Sequence, residues 1–419
     1  MNYEFKNRSG ENFIFDGNNI VIFNKDKYDE KVALELCKPI DGFRTKYFSH
    51  VALILNNNCN LGCDYCYANQ GNFDKAGDVM DFDIAKKVIE HMFENVKKHK
   101  GNKLGITFFG GEPLLQFDLI KKIVEYVNEV NTYNYHIAYS TITNGTLFTD
   151  EIIDFLRKNN FIVTVSLDGT KEAHDKMRKF KDGRGSFDVI AQNVRKYKNQ
   201  LALKGRLTVN DYNTNIVDSV FQIKDLGIDN IIIGVDSNIS DENFKVFMEN
   251  YKKLMEIYFN DLKNEKFYCI ENITFNLAKI VTRRRISSHC NAGRAYFTIS
   301  ADGKVYDCHR LVGIEEGYVC DANCEFTEKI DCYSHKMDEI IKQNVGERIS
   351  SCKDCSFKYL CGGMCYHQAY TVNGKRFSKV SKGCLLTTYE MKVVLDIITS
   401  LNVEQRKKFI SYIMGLEKR

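Results

Sequence analysis

The stretch VALILNNNCNLGCDYCYANQG, residues 51–71, joins a short apolar run to three closely spaced cysteines. The run fits one buried strand and is too short for a typical helix. Cys59, Cys63 and Cys66 follow it in a polar loop. A closed structural metal site normally takes four ligands, whereas an incomplete set leaves a position open for chemistry. The stretch therefore indicates a strand that leads into an open metal site.

This strand is the first of a repeating series in which strand-like runs alternate with amphipathic helical patterns. The predicted strands cover residues 51–56, 104–109, 135–144, 161–168, 205–210 and 230–235. Strand–helix repeats of this length argue for a parallel sheet, and successive right-handed units curl toward a barrel. We predict an α/β fold, a partial (β/α)6 TIM-like barrel, whose functional loops follow the C-terminal ends of its strands.

The composition narrows the class of protein. The 419 residues exceed one ordinary core, and 44% of them are apolar, which is enough to bury a substantial interior. The net charge of +4 gives no sign of a nucleic-acid or membrane-surface protein. No apolar run reaches about 18 residues, and the first residues lack the apolar segment of a signal peptide. We expect a cytoplasmic protein without nucleic-acid or membrane partners, whose fifteen cysteines bind metal or act in redox chemistry.

Further chemistry-bearing residues follow the later strands. They are Gly110, Gly111 and Glu112 in FFGGEP, Asn144 in TNG, Ser166 and Asp168 in VSLDG, and Arg178 in HDKMRK. Together with the C-x3-C-x-aromatic-C spacing of the first cysteines, these motifs resemble those of radical S-adenosylmethionine (radical SAM) enzymes. Taken singly, three cysteines also fit half of a zinc site, TNG and SLDG fit ordinary turns, and Arg178 fits an exposed helix cation.

The resemblance implies cofactors and roles. In that family three cysteines hold a [4Fe–4S] cluster, and its open iron binds S-adenosylmethionine (SAM), which yields a 5′-deoxyadenosyl radical on reduction. An electron donor such as flavodoxin or ferredoxin would supply the electron. By position, Gly110, Gly111 and Glu112 would receive the amino group of SAM, Asn144, Ser166 and Asp168 would lie at its ribose and carboxylate, Arg178 would pair with the carboxylate, and Tyr65 would contact the adenine.

A second set of cysteines lies near the C-terminus. It reads Cys290-x12-Gly303-x4-Cys308, Cys352-x2-Cys355-x5-Cys361-x3-Cys365 and then Cys384. This pattern resembles the SPASM extension of radical SAM enzymes that modify peptides and proteins. The resemblance implies two auxiliary clusters and thus three [4Fe–4S] clusters in all: one on Cys352, Cys355, Cys361 and Cys384, the other on Cys290, Cys308 and Cys365. The stretch after Cys290, NAGRAYFTI, has no further cysteine, so the second of these would keep an open iron.

Other readings of the remaining cysteines and basic residues stay open. Residues 352–365 alone fit a zinc ribbon. Cys320, Cys324 and Cys332 fall outside the seven-cysteine pattern and could complete the open site, act in redox exchange, bind another metal or be unused thiols. We expect Cys37 and Cys269 to be small buried hydrophobes. The run RRR at 283–285 is predicted to be a solvated helix face.

These patterns divide the chain into five predicted parts. They are an N-terminal extension at 1–48, the radical SAM partial barrel at 49–240, a bridging helical segment at 241–289, a SPASM auxiliary-cluster domain at 290–390, and C-terminal helices at 391–419. The SPASM region reads as short and irregular. In the extension, the hairpin NFIFDG/NIVIFN is either a reduced leader-peptide-binding unit, which would add a peptide strand to its edge, or an ordinary cap.

The resemblance extends to function. VYDCHRLVG, residues 305–313, is similar to the corresponding stretch of maturases that make thioether-bridged sactipeptide and ranthipeptide natural products. An open auxiliary iron could take a substrate thiolate, a soft ligand that iron–sulfur centres prefer, and a carbon radical could then attack its sulfur. The resemblance implies a radical SAM oxidoreductase that forms cysteine thioether cross-links in a ribosomally made precursor peptide. We predict His309 as a catalytic residue that tunes the cluster or moves a proton.

Two other classes of function stay open. One is a different SPASM oxidation, such as anaerobic sulfatase maturation or carbon–carbon cross-linking. Sulfatase-maturing relatives carry an Asp at the position of His309 and typically have QGGEP where this chain has FGGEP. His309 also fits a structural hydrogen bond. The other class is a non-enzyme, either an iron–sulfur electron carrier or a zinc scaffold.

Overall fold

The computed structural model of the chain describes residues 1–25, 40–41, 47–73, 77–322, 326–343 and 345–416. Cys37 and Cys324 lie outside the described residues. The strands, in chain order, are β1 (Asn2–Lys6), β2 (Asn12–Asp16), β3 (Val21–Asn24), β4 (Ile40–Asp41), β5 (His50–Ile54), β6 (Lys103–Phe109), β7 (His136–Thr143), β8 (Ile162–Ser166), β9 (Leu203–Val209), β10 (Asn230–Val235), β11 (Cys269–Ile270), β12 (Arg284–Arg285), β13 (Tyr296–Ile299), β14 (Lys304–Tyr306) and β15 (Tyr318–Asp321).

The helices connect these strands and cover the sheet. In chain order they are α1 (Phe82–Lys98), α2 (Phe117–Val130), α3 (Asp150–Lys158), α4 (Lys171–Met177), α5 (Phe187–Tyr197), α6 (Ile216–Asp225), α7 (Asp241–Lys263), α8 (Glu271–Val281), α9 (Phe326–Lys342), α10 (Val345–Arg348), α11 (Lys358–Cys361), α12 (Tyr366–Asn373), α13 (Ser381–Ser400) and α14 (Val403–Leu416). Among the described helices, none has the length and apolar character that crossing a bilayer requires.

The central sheet has the strand order β11-β10-β9-β8-β7-β6-β5-β13-β14-β15. Strands β5 to β10 follow one another in parallel, with helices between them. This sequential order is that of a partial barrel, and it confirms the predicted fold class and all six predicted strands. The helix α4 and the strands β11 and β13 at the two ends of the parallel series were not predicted.

Each barrel strand turns one apolar face outward. Outward residues such as Val51, Leu53 and Phe108 are fully buried beneath the amphipathic helices. The opposite face carries half-buried polar side chains on several strands, namely His50, Thr107, Ser140, Ser166, Lys204 and Arg206. His50 Nε2 lies 2.8 Å from Thr107 Oγ1, which in turn lies 2.8 Å from Ser140 Oγ across the neighbouring strand. We call this inward, polar side of the barrel the lumen.

The chain after residue 290 returns to the barrel. Strand β13 pairs in parallel with β5, with Tyr296 opposite His50, and β14 and β15 extend the same sheet in antiparallel. The region that reads as irregular also contains the 17-residue helix α9. The run at 283–285 is not a helix face, because α8 ends at Val281 and Arg284 and Arg285 pair with β4. The predicted domain boundaries stay predictions.

The N-terminal extension forms a small antiparallel sheet of β1, β2 and β3, one strand more than the predicted hairpin. Its aromatic face packs on the loop after Cys355, since the Phe357 ring lies 5.2 Å from Tyr3 and 5.7 Å from Phe15. A Cβ on Gly17 would lie 1.9 Å from Ser356 O, so this contact needs a glycine. The described part of the extension thus covers the loop that carries Cys355, and a leader-peptide role stays a prediction.

A buried carboxyl group links the helices that follow the barrel. Glu390 on α13 is 5% exposed and accepts a hydrogen bond from Tyr251 on α7 at 3.1 Å. Asn272 and Lys279 of α8 also interact with it, and Tyr389 is its chain neighbour. Burial, which outweighs these contacts, raises the pKa of Glu390 from its ordinary 4.5 to about 7.

This pKa predicts how stability depends on pH. Between about pH 4.5 and 7 the folded chain binds more protons at Glu390 than the unfolded chain, so stability falls as pH rises. Glu390→Gln removes this dependence. The difference in stability between the variant and the parent protein is expected to be about 2.5 kcal/mol more favourable to the variant at pH 8 than at pH 5. Anaerobic denaturant unfolding at both pH values measures the gain, with exposed Glu249→Gln as the control. An equal pH dependence in parent and Glu390→Gln contradicts the prediction.

Candidate active site

The loop after β5 and the turn after β6 are held together through their backbones. The N–H of Gly111 donates to Asn56 O at 3.0 Å, and the N–H of Glu112 donates to Asn58 O at 2.9 Å. A Cβ on Gly111 would lie 2.1 Å from Asn58 O, closer than any side chain allows. The glycine therefore brings the FGGEP turn against the backbone just before Cys59.

Glu112 connects this turn to the end of the next strand. Its carboxylate is 1% exposed and accepts hydrogen bonds from Thr143 Oγ1 at 2.7 Å, Asn144 N at 2.7 Å and Leu114 N at 3.1 Å. Burial raises the pKa of Glu112, and these three donors partly offset the increase. The side chain of Glu112 thus fixes the C-terminal ends of β6 and β7 relative to each other.

Asn144 reaches back to the cysteine loop. Its Nδ2 donates to Asn60 Oδ1 at 2.8 Å and lies 3.8 Å from Cys59 Sγ. Its Oδ1 accepts hydrogen bonds from the backbone and side chain of Thr146. The predicted TNG residue therefore contacts the predicted cluster loop directly, rather than forming an isolated turn.

Tyr65, Asp168 and Arg178 form one buried group on the other side of the cysteine loop. The Tyr65 hydroxyl donates to Asp168 Oδ2, and Arg178 Nη1 donates to the Tyr65 oxygen at 2.6 Å. Arg178 Nη1 also lies 4.0 Å from Asp168 Oδ2. Thr208 N donates to Asp168 Oδ1 at 3.1 Å, so the end of β9 joins the group as well.

This burial decides between the alternatives for Asp168 and Arg178. Asp168 is fully buried, so it is not part of an ordinary exposed turn. Arg178 is 9% exposed, so it is not an exposed cation on a helix. Burial raises the pKa of Asp168, and the charge of Arg178 opposes the increase. Arg178 Nε is buried without a hydrogen-bond partner among the described residues. A carboxylate of a bound molecule would satisfy this donor.

The three cysteines of the first loop are neighbours. The thiol of Cys63 interacts electrostatically with those of Cys59 and Cys66. Burial raises the pKa of Cys59 to about 12 and also raises that of Cys63. Buried thiols of this kind become thiolates when a metal supplies the positive charge. Three such donors beside the Gly111 turn fit a cluster that takes three protein ligands.

The seven C-terminal cysteines separate into the two predicted groups. Cys352, Cys355, Cys361 and Cys384 line one cavity, together with apolar residues such as Val345, Phe357 and Met364. The thiol of Cys308 interacts with those of Cys290 and Cys365. A buried ion pair fixes the residue before Cys308, because Asp307 binds Arg376 and accepts a hydrogen bond from Tyr333 at 2.7 Å.

The cysteines in the described residues are free of disulfides. Within the same residues, no group of three or more His, Cys, Asp or Glu side chains is arranged to hold a single metal ion. One zinc ion draws its thiolates to about 2.3 Å from one point, whereas a cubane cluster takes each thiolate on a different iron. The absence of such a group among the described residues therefore applies to sites for a single metal ion and does not apply to iron–sulfur clusters. Cys269 is buried as predicted, Cys320 is buried in β15, and Cys332 is exposed on α9.

The residues that follow Cys66 and Cys308 meet at the mouth of the lumen. The rings of Tyr67 and His309 lie 6.3 Å apart, and Phe109 lies 5.2 Å from His309. The Tyr296 hydroxyl lies 2.8 Å from His309 Nδ1. Burial lowers the pKa of His309 to about 3, so its imidazole is neutral near pH 7. Tyr67 is thus close to one cysteine of each triad, Cys66 and Cys308.

Several lumen residues were missed by the sequence interpretation. They are His50, Tyr67, Thr107, Ser140, Arg206, Tyr296 and Arg310. A signal for some of them was present: in LKGRLTV of β9, polar Lys204, Arg206 and Thr208 alternate with apolar residues. A parallel strand that is buried on both faces reads as a continuous apolar run. The alternation therefore indicates a strand with one face toward a polar lumen.

Comparison with known proteins agrees with this geometry. Residues 53–209 match the Radical SAM superfamily. The chain carries a radical SAM domain. It is 27% identical over 330 residues to the cysteine-type anaerobic sulfatase-maturating enzyme of Clostridium novyi, an alignment that covers 74% of this chain and 85% of that protein. This homology makes the chain a radical SAM enzyme rather than an electron carrier or a zinc scaffold.

Two solved structures share the fold. One is anSMEcpe with bound AdoMet, with a TM-score of 0.71 and 19% identity, covering 86% of this chain and 98% of that one. The other is SuiB of Streptococcus suis bound to precursor peptide SuiA, with a TM-score of 0.54 and 13% identity, covering 81% and 76%. The radical SAM domain implies a [4Fe–4S] cluster and SAM, and the Cys59–Cys66 loop with the Gly111 turn is the part of the chain that fits them.

The contact at Gly111 yields a second prediction. Gly111→Ala places a methyl group against the backbone before Cys59, so the loop and the turn must separate. We expect the variant to bind less iron and acid-labile sulfide after anaerobic reconstitution and to lose most SAM cleavage. The matched control is Gly415→Ala, whose Cβ meets no atom within 4 Å. Unchanged iron content and cleavage in Gly111→Ala would show that the contact is dispensable.

Proposed function

We propose that this radical SAM enzyme forms cysteine thioether cross-links in a ribosomally made precursor peptide. The observation that carries the proposal is the contact between Tyr67 and His309, the residues that directly follow Cys66 and Cys308. It supports an arrangement in which the cofactor-binding triad and the auxiliary triad lie on either side of one space. A peptide in that space would meet both.

The first requirement of the reaction is a radical at a peptide carbon. When bound, SAM and the cluster on Cys59, Cys63 and Cys66 supply a radical that removes a hydrogen atom from an unactivated C–H bond. The protein binds and orients the reactants and keeps water away. The buried group of Tyr65, Asp168 and Arg178 is suited to hold the cofactor, with the unpartnered Nε of Arg178 toward its carboxylate.

The second requirement is a sulfur atom and an acceptor for one more electron. Forming the C–S bond removes one hydrogen atom from carbon, one proton from the thiol and one electron. Cys290, Cys308 and Cys365 would hold an auxiliary cluster next to the peptide, with an iron free to take a thiolate, a soft ligand that such clusters prefer. Cys352, Cys355, Cys361 and Cys384 would hold another cluster, which can pass the electron on.

His309 fits this reaction as a positioning residue or a proton carrier. Its Nδ1 lies at the Tyr296 hydroxyl, and its ring contacts Phe109 and Tyr67. Its contacts therefore fix the orientation of the ring at the boundary between the two triads. Because of this position, we propose His309 as a catalytic residue.

Oxidation of a sulfatase is the second candidate function. The homology to the Clostridium novyi maturase, over 85% of that protein, favours it. The residue after Cys308 argues against it, because His309 stands where those relatives carry an Asp. The peptide named with the SuiB structure shows that a fold of this kind also accepts a precursor peptide. Both candidates thus share a peptide substrate and differ in the product.

Mass spectrometry separates the two candidates. The enzyme, SAM, a strong reductant and a cysteine-containing peptide encoded beside its gene are incubated anaerobically. A thioether removes two hydrogens and leaves one thiol unable to react with iodoacetamide. Conversion of the cysteine of a sulfatase-motif peptide to an aldehyde would instead support the second candidate. Absence of both products with both peptides would refute the thioether proposal and the sulfatase alternative together.

Cysteine variants test the proposed division of roles. Replacing Cys59, Cys63 and Cys66 together by Ala is expected to abolish deoxyadenosine formation, since no cluster remains to bind SAM. Cys352→Ala or Cys384→Ala is expected to keep some cleavage without peptide product, because only the auxiliary cluster is lost. Chromatography of deoxyadenosine and of the peptide measures both. Cys332→Ala, at an exposed thiol outside the three groups, is the control. Continued deoxyadenosine formation by the triple variant would refute the assignment.

A further inference from the structure

Arg206 is a cation of the lumen that is attracted by Glu271 and Asp168 but forms no ion pair within 4.0 Å with a described residue. It lies on the inward face of β9, opposite Ser166 of β8, and it is half-buried. Space for its guanidinium comes from Gly234 on β10, where a Cβ would lie 2.3 Å from Arg206 Nη2. No hydrogen bond or ion pair joins its side chain to another described residue. The neighbouring strand thus makes room for a guanidinium that the protein leaves free.

Arg310 approaches the same space from the auxiliary side. It follows His309, is half-buried, and its guanidinium carbon lies 5.2 Å from the centre of the Tyr67 ring. Its side chain likewise has no acidic or hydrogen-bonding partner among the described residues. Arg206 and Arg310 lie close enough to repel each other, and this repulsion adds to burial in lowering the pKa of Arg206 to about 10. Two guanidinium groups therefore face one space.

The other two cations of the described lumen each have a carboxylate within 4.0 Å. Lys204, also on β9, pairs with Glu271 at 2.5 Å. Arg178 is within 4.0 Å of Asp168. Glu271 and Asp168 also attract Arg206, but each of them already has another cation within 4.0 Å. Arg206 and Arg310 are thus the arginines of the described lumen without an ion-pair partner.

We propose that Arg206 and Arg310 together bind a carboxylate of the peptide substrate, so that the residue presented to the radical lies beside or is itself an Asp or Glu. Guanidinium groups bind carboxylates through paired, charge-assisted hydrogen bonds and lose little hydration in doing so. Arg206 lies near Tyr65 and Asp168, which already bind each other and Arg178. This inference rests on the proposed function and adds the class of substrate to it.

Two other roles of the pair predict different results. The arginines could bind the carboxylate of SAM, in which case their loss weakens the affinity for SAM. They could instead compensate the negative charge of an auxiliary cluster, since the backbone N–H of Arg310 donates to Cys308. In that case their loss changes the reduction potential of the cluster and leaves binding of added carboxylates unchanged.

A binding measurement on the reconstituted enzyme tests the proposal without turnover. The probe is N-acetyl-aspartate amide, and its neutral counterpart is N-acetyl-asparagine amide, both at constant ionic strength. The charged probe is expected to raise the thermal midpoint of the holoenzyme with saturation, since a ligand of the folded state stabilises it. In Arg206→Gln/Arg310→Gln the dissociation constant is expected to rise at least about tenfold. The variant Arg206→Lys/Arg310→Lys keeps the charge but not the paired donors. Its dissociation constant for the charged probe is expected to lie between those of the parent and the double Gln variant.

Controls make each outcome decisive. Arg184→Gln removes an exposed arginine that pairs with Asp182, and it should bind the probe like the parent. Iron content and equilibrium SAM binding of the double Gln variant should stay close to those of the parent. Equal shifts from both amides, equal shifts from sulfate, unchanged probe affinity in the double Gln variant, or a matching loss of SAM affinity would each overturn the inference. Because the probe has no thiol, failure of thioether formation leaves this result unaffected.

Discussion

The backbone contact between the FGGEP turn and the residues before Cys59 is the constraint on which the site depends. It requires a residue without a Cβ at position 111, because Asn58 O occupies the space. Once this contact forms, the carboxylate of Glu112 is buried. A buried carboxylate needs hydrogen-bond donors, and two of its three donors are Thr143 and Asn144. Asn144 then reaches Asn60 in the cysteine loop. One close approach between two loops thus determines the positions of three strand ends.

Strand pairing fixes the position of the C-terminal cysteines relative to the barrel. Because β13 pairs in parallel with β5, Tyr296 lies opposite His50. The segment after the antiparallel strand β14 returns toward Tyr296, whose hydroxyl lies 2.8 Å from His309 Nδ1. The Asp307–Arg376 ion pair is buried and fixes the chain just before Cys308. Ring contacts of His309 with Tyr67 and Phe109 complete the approach. The auxiliary triad is therefore placed by the sheet itself and not by a flexible attachment to the barrel.

Features that depend on residues close together in the sequence could be predicted, and those that depend on residues far apart could not. The barrel strands are local apolar runs, and they were predicted correctly. The cysteine spacings are local patterns as well, and their assignment to three clusters stays a prediction. The pairing of β13 with β5 joins residues about 245 positions apart and leaves no local mark. The helix α9 was missed because polar and charged residues dominate its sequence. The lumen face of β9 did carry a signal in Lys204, Arg206 and Thr208, but it was outweighed by the expectation of a fully buried parallel strand.

The pattern of charge in the lumen limits which chemistry the shared fold can serve here. Homologous enzymes can keep the barrel and its cofactor loop while changing the side chains that face the substrate, since function depends on the site rather than on the fold. In this chain those side chains include neutral imidazoles, tyrosine hydroxyls and two guanidinium groups without an ion-pair partner. A neutral imidazole after Cys308 can hold a hydrogen bond or relay a proton, but it lacks the negative charge that an aspartate has there. Negative charge opposite the two guanidinium groups would therefore come from what binds in the lumen, which under our proposal is a carboxylate of the substrate.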